Sequence, residues 1–328
     1  MIGGIHIDIT QRSTARAFQS IQRFLVAIIL FHVLCVLLGL LSTPRVGAEV
    51  VTLNPVADTF ILDSDPNNNN GGTEGFTVGR DDSSGVRRGL IRFNLGTIPR
   101  GSVIKSATLE MTVTKDPPQQ VSTNFHLFRL LAEWGEGDKV GFRPGNSGAP
   151  ATTGESSWNA RLAGMADWTT PGALDDVVTS PSASTFVTTT GPYAWTGSGV
   201  MADVQLWVGQ PATNFGWLVV CADELSPMTA RKFGSREPSS NPAPPELRIE
   251  FVPPPVLSAP RIISQSGFQF TVESVANVTN VVWVSTNSSD LLSWWPIQTL
   301  VPTNATFLVL DTNAASDSFR LYQVVVYE

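Results

Sequence analysis

Cysteine and histidine are almost missing from this chain of 328 residues, which has two of the first and three of the second. Cys35, His6 and His32 all precede residue 49, so the rest of the chain keeps only Cys221 and His126. One thiol makes no intramolecular disulfide. The fold must therefore be held by burial, which a stretch of this length can supply in two or more cores. Cys221, in the apolar run Trp217 to Ala222, reads as a small core residue. Ser-His-Asp and Cys-His catalysis and His-rich zinc sites need more His and Cys than remain, or a well-placed His126. Basic charge is also short. Setting aside residues 1 to 48, which hold Arg12, Arg16, Arg23, Arg45 and Asp8, leaves 17 basic and 27 acidic residues, a net charge of −10. Phosphate contacts dominate non-specific nucleic-acid binding, so an acidic body argues against nucleic acid and anionic lipid as partners. The third absence is helical period: after Ala48 no stretch sustains an apolar repeat over three or four turns.

What is present begins with export. Arg12, Arg16 and Arg23 precede the 18-residue apolar run Phe24 to Leu41, and Pro44 and the small-residue triplet Val46-Gly47-Ala48 follow it. That is the order of a secretory signal peptide with its cleavage site. The run is also just long enough to cross a ~30 Å hydrocarbon core as a helix, so an uncleaved anchor is the alternative. Either way, the chain after Ala48 is expected outside the membrane, secreted or on the cell surface.

Short β-branched and aromatic runs recur there between Gly, Pro, Asn, Asp and Ser clusters, which predicts an all-β fold. In residues 106–114, SATLEMTVT, Ala107, Leu109, Met111 and Val113 alternate with polar residues, so one face is buried and the other wet. Val200, Val204, Trp207 and Val208 share one face of a helical wheel and predict a short accessory helix. Residues 135–183 are rich in Gly, Ser, Thr, Pro and Asp with little period, and a stretch of that length is usually functional or partly mobile. The prolines at 253–259 predict a semi-rigid linker. The expected organisation is a signal at 1–48, a jelly-roll-like β-sandwich at 49–252, and a small immunoglobulin-like β-sandwich at 260–328.

Several pieces occur in a telling order: ADTFI (57–61), the Asn-rich turn ending in NNGG (69–72), VRRGLIRFNLGTIPRGSVIKSATLEM (86–111), EW (133–134), VMADVQLWVGQPATNFGWLV (200–219), FGSRE (233–237) and PELRIEF (245–251). In that series the chain resembles the DNRLRE or disaggregatase-related domain, also classed as carbohydrate-binding module family 96. The resemblance implies a secreted β-sandwich or jelly-roll module and a polysaccharide partner, since some members bind acidic algal polysaccharides such as alginate. The chain departs from the family's pattern after EW, where residues 135–183 form a long insertion. Its end, from Val281 to Ile297 and from Ser318 to Val324, is similar to short β modules that close many secreted proteins.

Candidate binding residues follow from chemistry. Arg88 and Arg92 share one face of the RRGLIRF strand and Arg87 points to the other, while Lys232 and Arg236 lie in a second matched piece. Guanidinium forks suit a uronate or sulfate; equally, these cations can pair with Asp58, Asp223 or Glu237 at strand ends. Trp134, Trp158, Trp168 and Trp195 lie near loops and can offer a sugar a flat apolar platform, whereas Trp207 and Trp217 read as core. Asp63 and Asp65, beside the Asn-rich turn, present hard oxygens suited to a structural calcium ion, though the spacing is not that of an EF-hand and the same residues make an ordinary turn. No cofactor is required by the composition. Glu133, Glu136, Asp138 and Glu155 surround the long insertion, where a glycosidase would need two carboxylates about 5 to 10 Å apart. Tyr193 and His126 lie in no recognisable catalytic motif. Asn277, Asn287 and Asn304 fit the glycosylation acceptor pattern. The expectation is therefore non-catalytic binding of an extracellular, anionic polysaccharide, with a structural or adhesive surface protein and a polysaccharide lyase or hydrolase as the alternatives.

Overall fold

A computed structural model of the chain describes residues 47–82, 85–141, 147–237, 243–263, 267–286, 293–314 and 320–327. The apolar N-terminal run and Asn287 lie outside them. No helix among the described residues is long and apolar enough to cross a membrane.

The fold is all β. Eleven strands make one antiparallel ladder that doubles over into two facing leaves. The first leaf holds β1 (Glu49–Leu53), β15 (Glu246–Val252), β6 (Val103–Lys115) and β12 (Gly191–Thr196). The second holds β2 (Pro55–Leu62), β5 (Val86–Phe93), β13 (Trp217–Cys221), β7 (Thr123–Arg129) and β11 (Ala183–Val187). At one corner β4 (Phe76–Arg80) and β14 (Arg231–Phe233) pair with each other and bridge the leaves, β14 to β6 and β4 to β5. The chain crosses repeatedly between leaves, as in a jelly roll.

The alternation read in SATLEMTVT holds: Ala107, Leu109, Met111 and Val113 are buried between the leaves, against Phe60, Ile91, Phe93, Phe125, Leu127 and Trp217. Full burial of one large aliphatic or aromatic side chain stabilises by about 1.5–3 kcal/mol, so this layer dominates the fold. One helix, α1 (Ser198–Gly209), closes the end of the sandwich with Val200, Val204, Trp207 and Val208 turned into the core. Cys221 is buried there too.

In its described residues the long insertion is not an open loop. It lies across the outer face of the second leaf, where Ala57, Ile61, Leu90, Leu218 and Val220 form a second apolar cluster with Trp134, Trp168 and Ala173. β5 and β13 are therefore covered on both faces, as the unbroken burial of WLVVC shows. Two small ladders hold the insertion's described residues: β3 (Asn68–Asn69) with β8 (Ala149–Pro150), and β9 (Ala160–Leu162) with β10 (Ala166–Asp167).

Among the described residues the remaining strands pair with one another, in two three-stranded antiparallel sheets. One is β16 (Val256–Ile263), β17 (Gly267–Glu273) and β20 (Thr306–Asp311); the other is β19 (Trp295–Leu300), β18 (Thr279–Ser285) and β21 (Leu321–Tyr327). β16 begins inside the stretch expected as a linker. Pro260 is tolerated because β16 is an edge strand, and the register breaks between Ser258 and Arg261 where that N–H is missing.

Candidate functional site

A cleft of about 700 Å³ lies between the turn after β5 and the end of α1. Its first wall is built from consecutive turns. Asn94 Oδ1 accepts the Gly96 N–H, Leu95 O accepts the Ile98 N–H, and Pro99 O accepts the Ser102 N–H. Gly101, at φ 85°, supplies the left-handed residue that the last turn needs, which leaves Arg100 exposed at its tip. The second wall runs from Trp207 and Val208 through the short 3₁₀ segment Pro211–Thr213 to Asn214, whose side-chain amide donates to Phe93 O. Gln205 ties the walls together: Oε1 accepts the Ile104 N–H and Nε2 donates to Ser102 O.

Two arginines line this cleft, Arg92 and Arg100, with Asn94 and Asn214 beside them. Neither arginine has a carboxylate within 4 Å among the described residues. The Arg92 guanidinium carbon lies 5.5 Å from the centre of the Trp134 ring, a cation–π contact that orients the fork without neutralising it. Val56, Ile98, Pro99 and Pro211 add apolar wall. The Trp207 Nε1 and Asn214 Oδ1 atoms are buried without a hydrogen-bond partner among the described residues. Free cations, amides and apolar rings on one concave surface can hold a hydroxyl-rich ligand that carries negative charge.

The other sequence-derived candidates fall elsewhere. Arg88 does share the outer face with Arg92, as the alternation predicts, while Arg87 pairs with Asp81. Arg88 is nonetheless sealed under the insertion. It makes two 2.8 Å hydrogen bonds to the Glu224 carboxylate, donates to Gly172 O, and stacks 4.7 Å over Trp158. Its partner is thus none of the three acids named from the sequence. Trp134, Trp168 and Trp195 do not serve as platforms: all three are buried, and their indole N–H groups donate to Phe215, Ser157 and Phe125 carbonyls. Trp158 is half-buried, with Arg88 over its ring. Trp134, Trp158 and Trp168 share a reason, since the insertion needs large apolar rings to bury a sheet face that would otherwise stay wet, whereas Trp195 is taken up by the core between the leaves.

Arg236 is held by Glu136 through two hydrogen bonds of 2.7 and 2.6 Å, with Glu237 at 3.5 Å. Glu136 raises its already high pKa further. The same Glu136 accepts the Asp58 N–H, and the Asp58 carboxylate accepts the Arg236 N–H. Three motif pieces far apart in sequence, ADTFI, the segment after EW and FGSRE, therefore meet in one clamp. Asp58 is buried, and burial together with Glu237 and Glu136 pushes its pKa up to about 8. Glu155 is bound by Lys139, which Asp138 also contacts. Glu133 is exposed. Lys232 lines a separate, smaller cleft.

Among the described residues no group of three or more His, Cys, Asp or Glu that could hold a metal ion forms around Asp63 and Asp65. The Asn-rich turn is instead a packing device. The Asn69 side-chain amide donates to Glu136 O and Ser156 O, and its oxygen accepts the Gly71 and Lys139 N–H groups. Gly71 sits so close beneath the insertion that a Cβ there would lie 2.3 Å from Glu136 O. His126 is half-buried in β7 and Tyr193 bonds to Thr188 and Thr189. Asn277 and Asn304 are exposed.

Sequence reasoning missed Arg100, Asn94 and Asn214. Pro99 and Gly101 are turn-forming residues, but only the approach of α1 makes that turn one side of a cleft.

Residues 49–139 match the model of carbohydrate-binding module family 96. That segment carries the whole first wall of the cleft, with Arg92, Trp134 and two members of the clamp. Among solved structures the chain is similar to the glycoside hydrolase domain of Spr0440, Endo-D, from Streptococcus pneumoniae R6. The identity is 7%, covering 86% of this chain and 37% of that one, and the TM-score of 0.15 carries no argument. No curated protein matches.

Proposed function

We propose, from the match of residues 49–139 to a carbohydrate-binding family, that this chain binds a polysaccharide outside the cell without cleaving it. The ligand is anionic, and the cleft between the Asn94–Ser102 turns and the end of α1 receives it. The observation that carries the reading is the pair Arg92 and Arg100. In a body with an excess of acid, two arginines that have no carboxylate partner among the described residues line one concave surface beside amide and apolar side chains. Export follows from the N-terminal run of basic, apolar and small residues. The non-catalytic part is supported by the fate of the acids around the insertion: Glu136 is spent on Arg236 and Glu155 on Lys139.

The test is affinity electrophoresis of residues 49–328 in gels containing alginate, pectin, a sulfated polysaccharide or a neutral glucan. Retardation by an acidic polymer, weakened about tenfold or more in Kd by Arg92→Gln, is the expected outcome, since a charge-assisted hydrogen bond contributes about 1.5–3 kcal/mol. No retardation in any gel refutes binding, and release of oligosaccharide products refutes the non-catalytic part.

A further inference from the structure

β6 starts beside the Arg92 cleft and ends at Lys115, roughly 40 Å away at about 3.3 Å per residue. At that far end Lys115 stands directly opposite Lys232 of β14 in ladder register. Like charges directly opposed on an antiparallel pair are destabilising, so natural ladders tend to avoid them. A bulge follows at once, between Lys232 and Phe233, and bulges re-aim side chains. Here both lysines line a cleft of about 220 Å³, together with Glu74, Thr114, Gly234 and Ser235.

The polar groups around this cleft are already satisfied within the chain. Thr114 Oγ1 donates to Lys232 O, Gly234 N–H donates to Thr112 O, and Ser235 Oγ donates to Thr73 O while accepting the Gly75 N–H. Among the described residues neither ammonium has a carboxylate within 4 Å. The Lys232 stem is fixed as well: it runs across Gly75, where a Cβ would meet Lys232 Cε at 2.7 Å. Desolvation lowers the Lys232 pKa, Lys115 adds to that and Glu74 opposes it. Lys115 and Lys232, opposed in ladder register and lining one cleft, offer an anion two positive charges that no carboxylate within 4 Å neutralises among the described residues.

We infer that the Lys115–Lys232 cleft is a second binding site, for a single oxyanion group, either the sulfate ester or the carboxylate of a saccharide. It is separate from the Arg92 cleft and stands if that reading fails. Glu74 sets its threshold by competing with the anion for Lys232.

The experiment titrates sodium sulfate and sodium acetate into residues 49–328 at constant ionic strength, following the lysine Cε–Hε signals by NMR. Saturable shifts at Lys115 and Lys232 are expected. Lys232→Gln and Lys115→Gln should each lower the affinity tenfold or more, Glu74→Gln should raise it severalfold, and Arg92→Gln should leave it unchanged. Saturation by sulfate alone identifies a sulfate ester as the group, and saturation by acetate alone a carboxylate. Linear, unsaturating shifts, or an affinity indifferent to Lys115→Gln in a variant that melts like the parent, overturn the inference. Lys115 is exposed, so that variant leaves the core untouched.

Discussion

Asp58 gives the clamp a measurable signature. Its carboxyl is 1% exposed, and burial, reinforced by Glu237 and Glu136, moves its pKa from 3.8 to about 8. In the unfolded chain it titrates as an ordinary aspartate, near about 3.9. Between those values the folded protein keeps a proton that the unfolded chain has released. Stability is therefore fully present below the unfolded value and falls as pH rises through the folded one, by about 1.4 kcal/mol per pH unit for one proton. Glu237 is pushed up as well and interacts with Asp58, so the proton belongs to the pair. Asp58→Asn removes the titration and keeps an oxygen for the Arg236 N–H. From about pH 5 to about pH 8 the stability of the parent should fall by roughly 4 kcal/mol more than that of the variant. Asp203, also raised by burial, leaves some slope in both. Urea unfolding followed by tryptophan fluorescence at each pH measures the difference. Parallel profiles for parent and variant would refute the buried, protonated Asp58.

Other variants probe the layer over the second leaf. Trp134→Ala removes a buried ring, its bond to Phe215 O and the support beneath Arg92, and should cost about 3–5 kcal/mol in urea unfolding. Gly71→Ala forces a Cβ against Glu136 O; a loss of about 1–3 kcal/mol and faster proteolysis within 135–183 are expected. Glu224→Gln leaves the buried Arg88 guanidinium without its charge partner, for a loss of about 3–5 kcal/mol with glycan retardation unchanged at equal folded fraction.

The β architecture was legible because period-2 alternation is local: each residue of SATLEMTVT declares its face without reference to the rest of the chain. α1 was legible for the same reason at period 3.6, and its four named apolar residues are those that reach the core. RRGLIRF likewise told which arginines share a face. It did not tell what covers that face, and the cover decides whether an arginine meets solvent or a carboxylate 136 residues away. The tryptophans near loops were ambiguous in the same way. An indole beside Gly and Ser can stack on a sugar or anchor the loop itself, and Trp134 and Trp168 anchor it because β5 and β13 need a second apolar face covered.

The sequence by itself determined the elements, the inward and outward sides of the strands, and the serial motifs that residues 49–139 share with a carbohydrate-binding family. Only the tertiary structure decided which cations remain free. Pairing depends on distances between residues up to 178 positions apart, as between Asp58 and Arg236, and such distances are set by how the leaves fold over each other rather than by any local pattern.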